Sequence, residues 1–154
     1  MLLLITKNIS KPHVILYRRD NGTETWMYAD DFYARHDLSH YCIEKSLGYT
    51  TAFMGMLNNG MAVKDFEDRT KRKQLTISKE ALYAENMANL FFMEIAQGEF
   101  EDFNQVSKQT FEAWNKEFPP ILSESEIINI RKSLRRLLKE WTDLPVGKTM
   151  VLSF

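Results

Sequence analysis

The segment His36-Asp37-Leu38-Ser39-His40-Tyr41-Cys42-Ile43-Glu44 gathers two of the three histidines of a 154-residue chain beside two carboxylates. On a helix, residues four apart carry Cβ atoms about 5–6 Å from one another, close enough for two imidazoles to converge on one zinc ion at about 2.0–2.1 Å. With His36 set at zero, a turn of about 100° per residue puts His40 near ~40°, Glu44 near ~80° and Asp37 near ~100°. The spacing therefore predicts a ligand set of His36, His40 and Glu44. Three protein ligands leave a coordination position for water, as catalytic zinc sites do. Nitrogen and oxygen donors without a thiolate favour zinc, with manganese and iron as alternatives.

Asp37 follows the first histidine, where metallohydrolases of the H-E-x-x-H type carry their general base, but its side chain is one methylene shorter. It is read either as that base or as a partner that orients a histidine through the ring nitrogen not facing the metal. The whole segment also admits a non-metal reading. Ile43 and Leu47 share its side of the helix and would carry the polar group into the core, where unpaired imidazoles and carboxylates cost several kcal/mol. A complete hydrogen-bond network would satisfy them as well as an ion does. Cys42 points the opposite way, near ~240°, and reads as a buried small residue. As the sole cysteine it leaves no intrachain disulfide and no cysteine-based zinc cluster. His13, after Pro12 at the start of a strand, lies outside the cluster.

The elements that must position this segment follow from pattern. Residues 14–19 and 23–28 alternate about Asp20-Asn21-Gly22 and predict a hairpin; residues 2–6 and 149–154 predict further strands at the two ends. Between them, Gly48 and Gly60 stop helices over about 32–47 and 51–59, and Ser78 opens a long helix ending at Gly98. Asp102-x-x-Gln105 and Ser123-x-x-Glu126 have capping-box spacing. The helices they open carry Phe103, Val106, Phe111 and Trp114, and Ile127, Ile130, Leu134, Leu138 and Trp141. The expected fold is one α+β domain over 1–154, a small antiparallel sheet on about four to five helices. The helix over about 79–97 is apolar nearly all round and is expected to run through the core, which makes Glu94 unusual: a structural salt bridge, or a further ligand reaching the histidines. Glu85, Asn86 and Asn89 are weaker candidates of the same kind. On the last helix Arg131, Lys132, Arg135, Arg136 and Lys139 read as a solvated face.

Charge narrows the function classes. Twenty Lys and Arg against 21 Asp and Glu give a net charge of −1, so no global field attracts nucleic acid or acidic membrane. The one basic run, Arg69, Lys71, Arg72 and Lys73, follows Asp65, Glu67 and Asp68 and holds no stacking aromatic, so nucleic-acid binding there is disfavoured. The start lacks a basic region before its short apolar run, and no window approaches about 18 apolar residues. A cytoplasmic protein acting on an unknown small molecule is expected.

The H-D-L-x-H-x-x-x-E segment, followed by Leu47-Gly48 with Phe53 and Gly55 beyond, resembles a family of small uncharacterised bacterial proteins. Trp141-x-x-Leu144-Pro145-x-Gly147 and the N-terminal hairpin extend that likeness over most of the chain, and it brings no activity with it. His36, Asp37 and His40 also resemble the H-D-x-x-H motif of the ubiquinone-biosynthesis zinc proteins, which implies zinc. Those proteins complete the motif with a Glu about a dozen residues on, where Ala52 and Phe53 stand here.

Overall fold

The computed structural model describes residues 1–68, 70, 76–113 and 117–154. Four strands, β1 (Leu2–Thr6), β2 (His13–Arg18), β3 (Glu24–Ala29) and β4 (Thr149–Ser153), form one antiparallel sheet in the order β3-β2-β1-β4. Alternation in each strand sends every second residue to one face. In register, Thr25, Tyr17, Leu3 and Leu152 make one inward row, and Met27, Ile15, Ile5 and Met150 the next. The hairpin turns where expected. The Gly22 N–H donates to the Arg19 carbonyl at 3.0 Å, and Gly22 takes φ 82°, which a side chain would resist.

Six helices among the described residues pack against that face: α1 (Asp31–Leu47), α2 (Phe53–Asn58), α3 (Val63–Glu67), α4 (Lys79–Gln97), α5 (Phe103–Ala113) and α6 (Glu124–Asp143). The α+β class is as expected, with α3 added where the sequence suggested only the start of a solvated connector. Arg69 and residues 71–73 of the basic run lie outside the described residues, as does Trp114. The caps act as their spacing predicts. Ser78 caps α4, Asp102 accepts from the Gln105 N–H, and Ser123 with Glu126 forms a complete capping box; Asp30 adds a further cap, accepting from the Tyr33 N–H to open α1. No helix among the described residues is long and apolar enough to cross a membrane.

Helix α1 is the hub. Residues 37–44 are all buried, so it is enclosed on every side. Three consecutive residues, about 100° apart, reach three different neighbours. His40 meets Glu85 of α4, the Tyr41 hydroxyl donates to the Ser153 carbonyl of β4, and the Cys42 thiol lies 3.6 Å from the Ile130 carbonyl of α6. The sequence expectation that Cys42 is buried opposite the histidines holds, and burial pushes its thiol up to about 11. Helix α4 departs from expectation. It buries Ala84, Met87, Leu90 and Phe91 but exposes Glu85, Asn89, Met93 and Ile95, so it is an outer helix rather than a core one. Its exposed apolar residues are what made it read as buried all round.

Glu94 takes the first of its two expected roles, the salt bridge, and Arg131 departs from the solvated face expected of it. The Arg131 guanidinium grips the Glu94 carboxylate at 2.9 and 2.6 Å and also reaches Glu99, while the Phe100 N–H donates to Glu94. Glu94 is therefore held by a buried ion pair far along α4 from the histidines, and Arg131 is half-buried rather than solvated.

Gly55 is fixed by close approach. A Cβ there would lie 2.2 Å from the Thr50 carbonyl oxygen, backbone that cannot swing aside. We expect Gly55→Ala to destabilise the fold by about 1–3 kcal/mol, read as a lower urea midpoint at unchanged slope. A midpoint equal to wild type would show that the Thr50 loop can yield.

Candidate metal site

The site forms along the seam between α1 and α4, which run antiparallel: Phe32 packs on Phe92 and His40 on Glu85, with His36 reaching the same glutamate. His40 Nε2 lies 3.1 Å from Glu85 Oε2, and His36 Nε2 lies 3.8 Å from Glu85 Oε1. One ligand atom from each of His36, His40 and Glu85 falls within 4.8 Å of the others. Ligands about 2.0–2.1 Å from a tetrahedral zinc stand roughly 3.4 Å apart. The two histidine–glutamate separations, one to each Glu85 oxygen, bracket that value, and the group as a whole spans up to 4.8 Å.

Glu44 takes a different place from the one expected. It is fully buried, accepts from the Met54 N–H at 2.8 Å and the Gly55 N–H at 3.3 Å at the start of α2, and lies 3.1 Å from His40 Nδ1. The reason is helical drift: each four-residue step advances about 40°, so Glu44 sits about 80° round from His36 and leaves the α4 seam for α2. Its carboxylate engages the ring nitrogen of His40 that points away from Glu85. A carboxylate on that second nitrogen fixes the tautomer and orientation of a ligating histidine.

Asp37 is displaced further in the same sense and faces the sheet. Tyr17, inward on β2, donates its hydroxyl to Asp37 Oδ2. Neither carboxylate oxygen of Asp37 hydrogen-bonds to a histidine; the carboxylate beside His40 Nδ1 is that of Glu44. Asp37 also lines the pocket described below. Burial raises its carboxyl to about 6, with the Tyr17 hydrogen bond and nearby His40 opposing the rise and Glu44 and Glu85 adding to it. Burial and the same carboxylate hold Tyr17 well above the ordinary phenol range.

The electrostatics of the two histidines differ. Burial alone would lower His40, but Glu44 and Glu85 on its two ring nitrogens overcome it and hold the imidazolium at about 9. Burial lowers His36, and the charge of His40 lowers it further, against Glu85 and a hydrogen bond to Asn89. The His40 hydrogen bond carries Glu85 down to about 2 despite some burial, with Asn89 and His36 helping. Asn89 Nδ2 donates to Glu85 Oε1 at 3.0 Å, so α4 braces its own glutamate. Hydrogen bonds to a carboxylate fix it as well as lower its pKa.

Beside the group opens a pocket of about 690 Å³, in the size range of small-molecule sites. His36, Asp37, His40 and Glu85 form its polar side, and Tyr33, Phe53 and Phe66 its aromatic wall. His13 is elsewhere, its Nδ1 accepting from the Asn8 N–H and its ring edge against Trp141. Glu85 is the residue that sequence reasoning undervalued. The signal was there in Glu85-x-x-x-Asn89, a polar pair at helical spacing, but only the packing of α4 on α1 puts it opposite His36 and His40. No protein-family model, curated protein or solved structure matches the chain.

The charge on His40 makes a prediction for the metal-free protein. Its folded pKa, about 9, stands above the ordinary value near 6.5, so its contribution is fully present below about 6.5 and is lost as pH rises through about 9. His36 and Asp37 finish titrating below this window, since the one is lowered from 6.5 and the other rises only to about 6. Urea denaturation of chelator-treated protein should lose on the order of 2–3 kcal/mol between pH 7 and 9, and His40→Gln should flatten that slope. A wild-type curve flat over the same range would mean that His40 is not held charged.

Proposed function

We propose that this chain is a metal-binding protein, with His36, His40 and Glu85 as ligands, zinc as the ion their nitrogen and oxygen donors suit best, and Glu44 as the group that orients His40. The observation that carries the reading is the convergence of three ligand atoms within 4.8 Å at the wall of a pocket. The protein is read as cytoplasmic and as acting on a small molecule rather than on nucleic acid. The resemblance to the H-D-x-x-H zinc proteins supports the ion, and on this reading Glu85 supplies from another helix the acid that Ala52 and Phe53 do not.

An enzyme built this way belongs to metal-assisted hydrolysis or lyase chemistry. The ion would polarise a carbonyl and acidify a water towards pKa about 7. The chain's own residues do the rest. Glu44 keeps a proton on His40 Nδ1 and so presents Nε2, Tyr17 holds one oxygen of Asp37, and the other oxygen of Asp37 is available as a proton acceptor at the pocket. Asp37 is then the candidate base, and Tyr33, Phe53 and Phe66 limit water.

A second reading rests on the direct 3.1 Å contact between His40 Nε2 and Glu85: a protonated His40 clasped by two carboxylates can tie α1 to α4 and α2 without an ion. Elemental analysis of protein purified without an affinity tag separates them. The metal reading expects about one equivalent of zinc (one ion per three-ligand site) in wild type, its loss in Glu85→Gln, and its retention in Glu94→Gln and His13→Ala. Glu44→Gln should weaken zinc affinity about 10–100-fold, the usual cost of removing an orienting partner. Absence of stoichiometric metal in wild type, with unchanged stability after chelation, would favour the clasp.

A further inference from the structure

The group at His40 and Glu85 is shared by two cavities. The larger is the pocket with Asp37 and His36; the smaller, about 250 Å³, lies on the far side of Phe53 and Phe66 and is walled by Met56, Ile77, Ala81 and Leu82. Phe53 and Phe66, with centroids 5.2 Å apart, border both. His40 and Glu85 are the polar residues that the two cavities have in common. A ligand with a polar atom at that pair can therefore send one end among Asp37 and His36 and the other among apolar side chains.

We infer that the smaller cavity is a specificity pocket, which seats the hydrocarbon part of a small carbonyl substrate, an aryl ring or a short alkyl chain, while the carbonyl end meets His36, His40 and Glu85. The inference rests on the metal reading above and adds to it the class of substrate. Its physical basis is the division of labour common to small-molecule sites, in which apolar walls supply affinity and a few polar groups set orientation. The walls also set size. Ala81 contributes only a methyl at the start of α4 and leaves the space that the tail would fill, with Leu82, Met56 and the largely exposed Ile77 lining it beside Ala81. Ala81 lies four residues before Glu85 and is not itself part of the polar group, so enlarging it narrows the cavity without altering the three ligands.

The test uses the full chain loaded with zinc and three hydroxamic acids, whose carbonyl head is a zinc chelator and whose tail can be varied. Isothermal titration compares acetohydroxamate, which has only a methyl, with benzohydroxamate and octanohydroxamate. Benzohydroxamate should bind about 10–100-fold tighter than acetohydroxamate, the gain from burying one large apolar group. Ala81→Leu should erase most of that preference and leave acetohydroxamate affinity and zinc content as in wild type. The three compounds on wild-type protein give an independent measure should Ala81→Leu fold poorly: benzohydroxamate and octanohydroxamate should each bind tighter than acetohydroxamate, which has no tail to bury. Equal affinities for the three compounds in protein shown to hold zinc would overturn this inference alone. Wild-type protein that holds no zinc would overturn it together with the metal reading, and elemental analysis of the titrated sample tells the two failures apart.

Discussion

A helix that carries Asp37, Ser39, His40 and Glu44 is buried on all sides, and the rest of the structure answers to that. Each of these groups would cost several kcal/mol if left unpaired away from water. Each finds its partner on a different element or on its own backbone. Tyr17 of β2 serves Asp37, the Arg35 carbonyl takes the Ser39 hydroxyl, the first amides of α2 hold Glu44, and Glu85 of α4 meets His40. The polar content of α1 thus specifies how the sheet, α2 and α4 must be placed around it. Apolar packing supplies the bulk of the cohesion, through one core running from Leu3 and Ile15 to Leu134 and Trp141. It does not by itself distinguish one rotation of α1 from another. The polar contacts do, because turning α1 by one residue, about 100°, would strand Asp37 and Glu44 in hydrocarbon.

The small elements take their meaning from the same constraint. Helix α2 has only six residues, too short to be stable alone. Its start is stabilised by the Glu44 carboxylate, and in return it satisfies a buried charge. Gly55 is needed at that point because α2 lies against the Thr50 loop so closely that a methyl group would overlap backbone. Glu80 ties the same loop from the other side, accepting from the Thr50 and Thr51 amides at 2.9 and 2.7 Å. The loop between α1 and α2 is thereby gripped by α4, which keeps Glu85 in line with His40.

The α+β architecture was legible because its signals are local. The turn at Gly22, the caps at Ser78, Asp102 and Ser123, and the stop at Gly48 each act within a few residues. The histidine pair was legible for the same reason, since His36 and His40 belong to one turn of one helix. The third corner of the group was not. Wheel geometry puts Glu44 on the same side as His36 and His40, but the seam with α4 is narrow, and a residue 80° round from His36 by the same geometry already faces another neighbour. Glu85 comes from a helix 45 residues away, and its rotation about the α4 axis depends on which of its apolar residues are buried. Met93 and Ile95, exposed in the fold, blurred that pattern, while Glu94 is as interior as the sequence suggested and is held there by an ion pair. Arg131 on α6 accounts for its burial.

The charges at the α1–α4 seam give the arrangement its chemical bias. Asp37, Glu44 and Glu85 supply three carboxylates, and against them stands one protonated imidazole, that of His40. Opposite charges a few ångströms apart attract, most strongly where burial limits screening as it does around His40 and Glu44, so an excess of carboxylate favours any cation that can lie between them. A proton on His40 Nε2 is the smallest such cation. A divalent ion replacing that proton adds one further positive charge to the same set of groups, while Nδ1 keeps its proton on Glu44. The contest between proton and ion is then confined to one nitrogen. Glu44 favours both occupants of Nε2, since its negative charge makes the ring more basic and a better donor alike. Glu85 does the same from the other side. What separates the two outcomes is His36: burial keeps it neutral and its lone pair available, so it adds a ligand to an ion but gains nothing from a proton on its neighbour, whose charge it feels only as repulsion. A second neutral imidazole facing the same glutamate is the feature that a purely structural clasp around His40 has no use for, and it is what favours the proposed chelating role of the seam over the clasp.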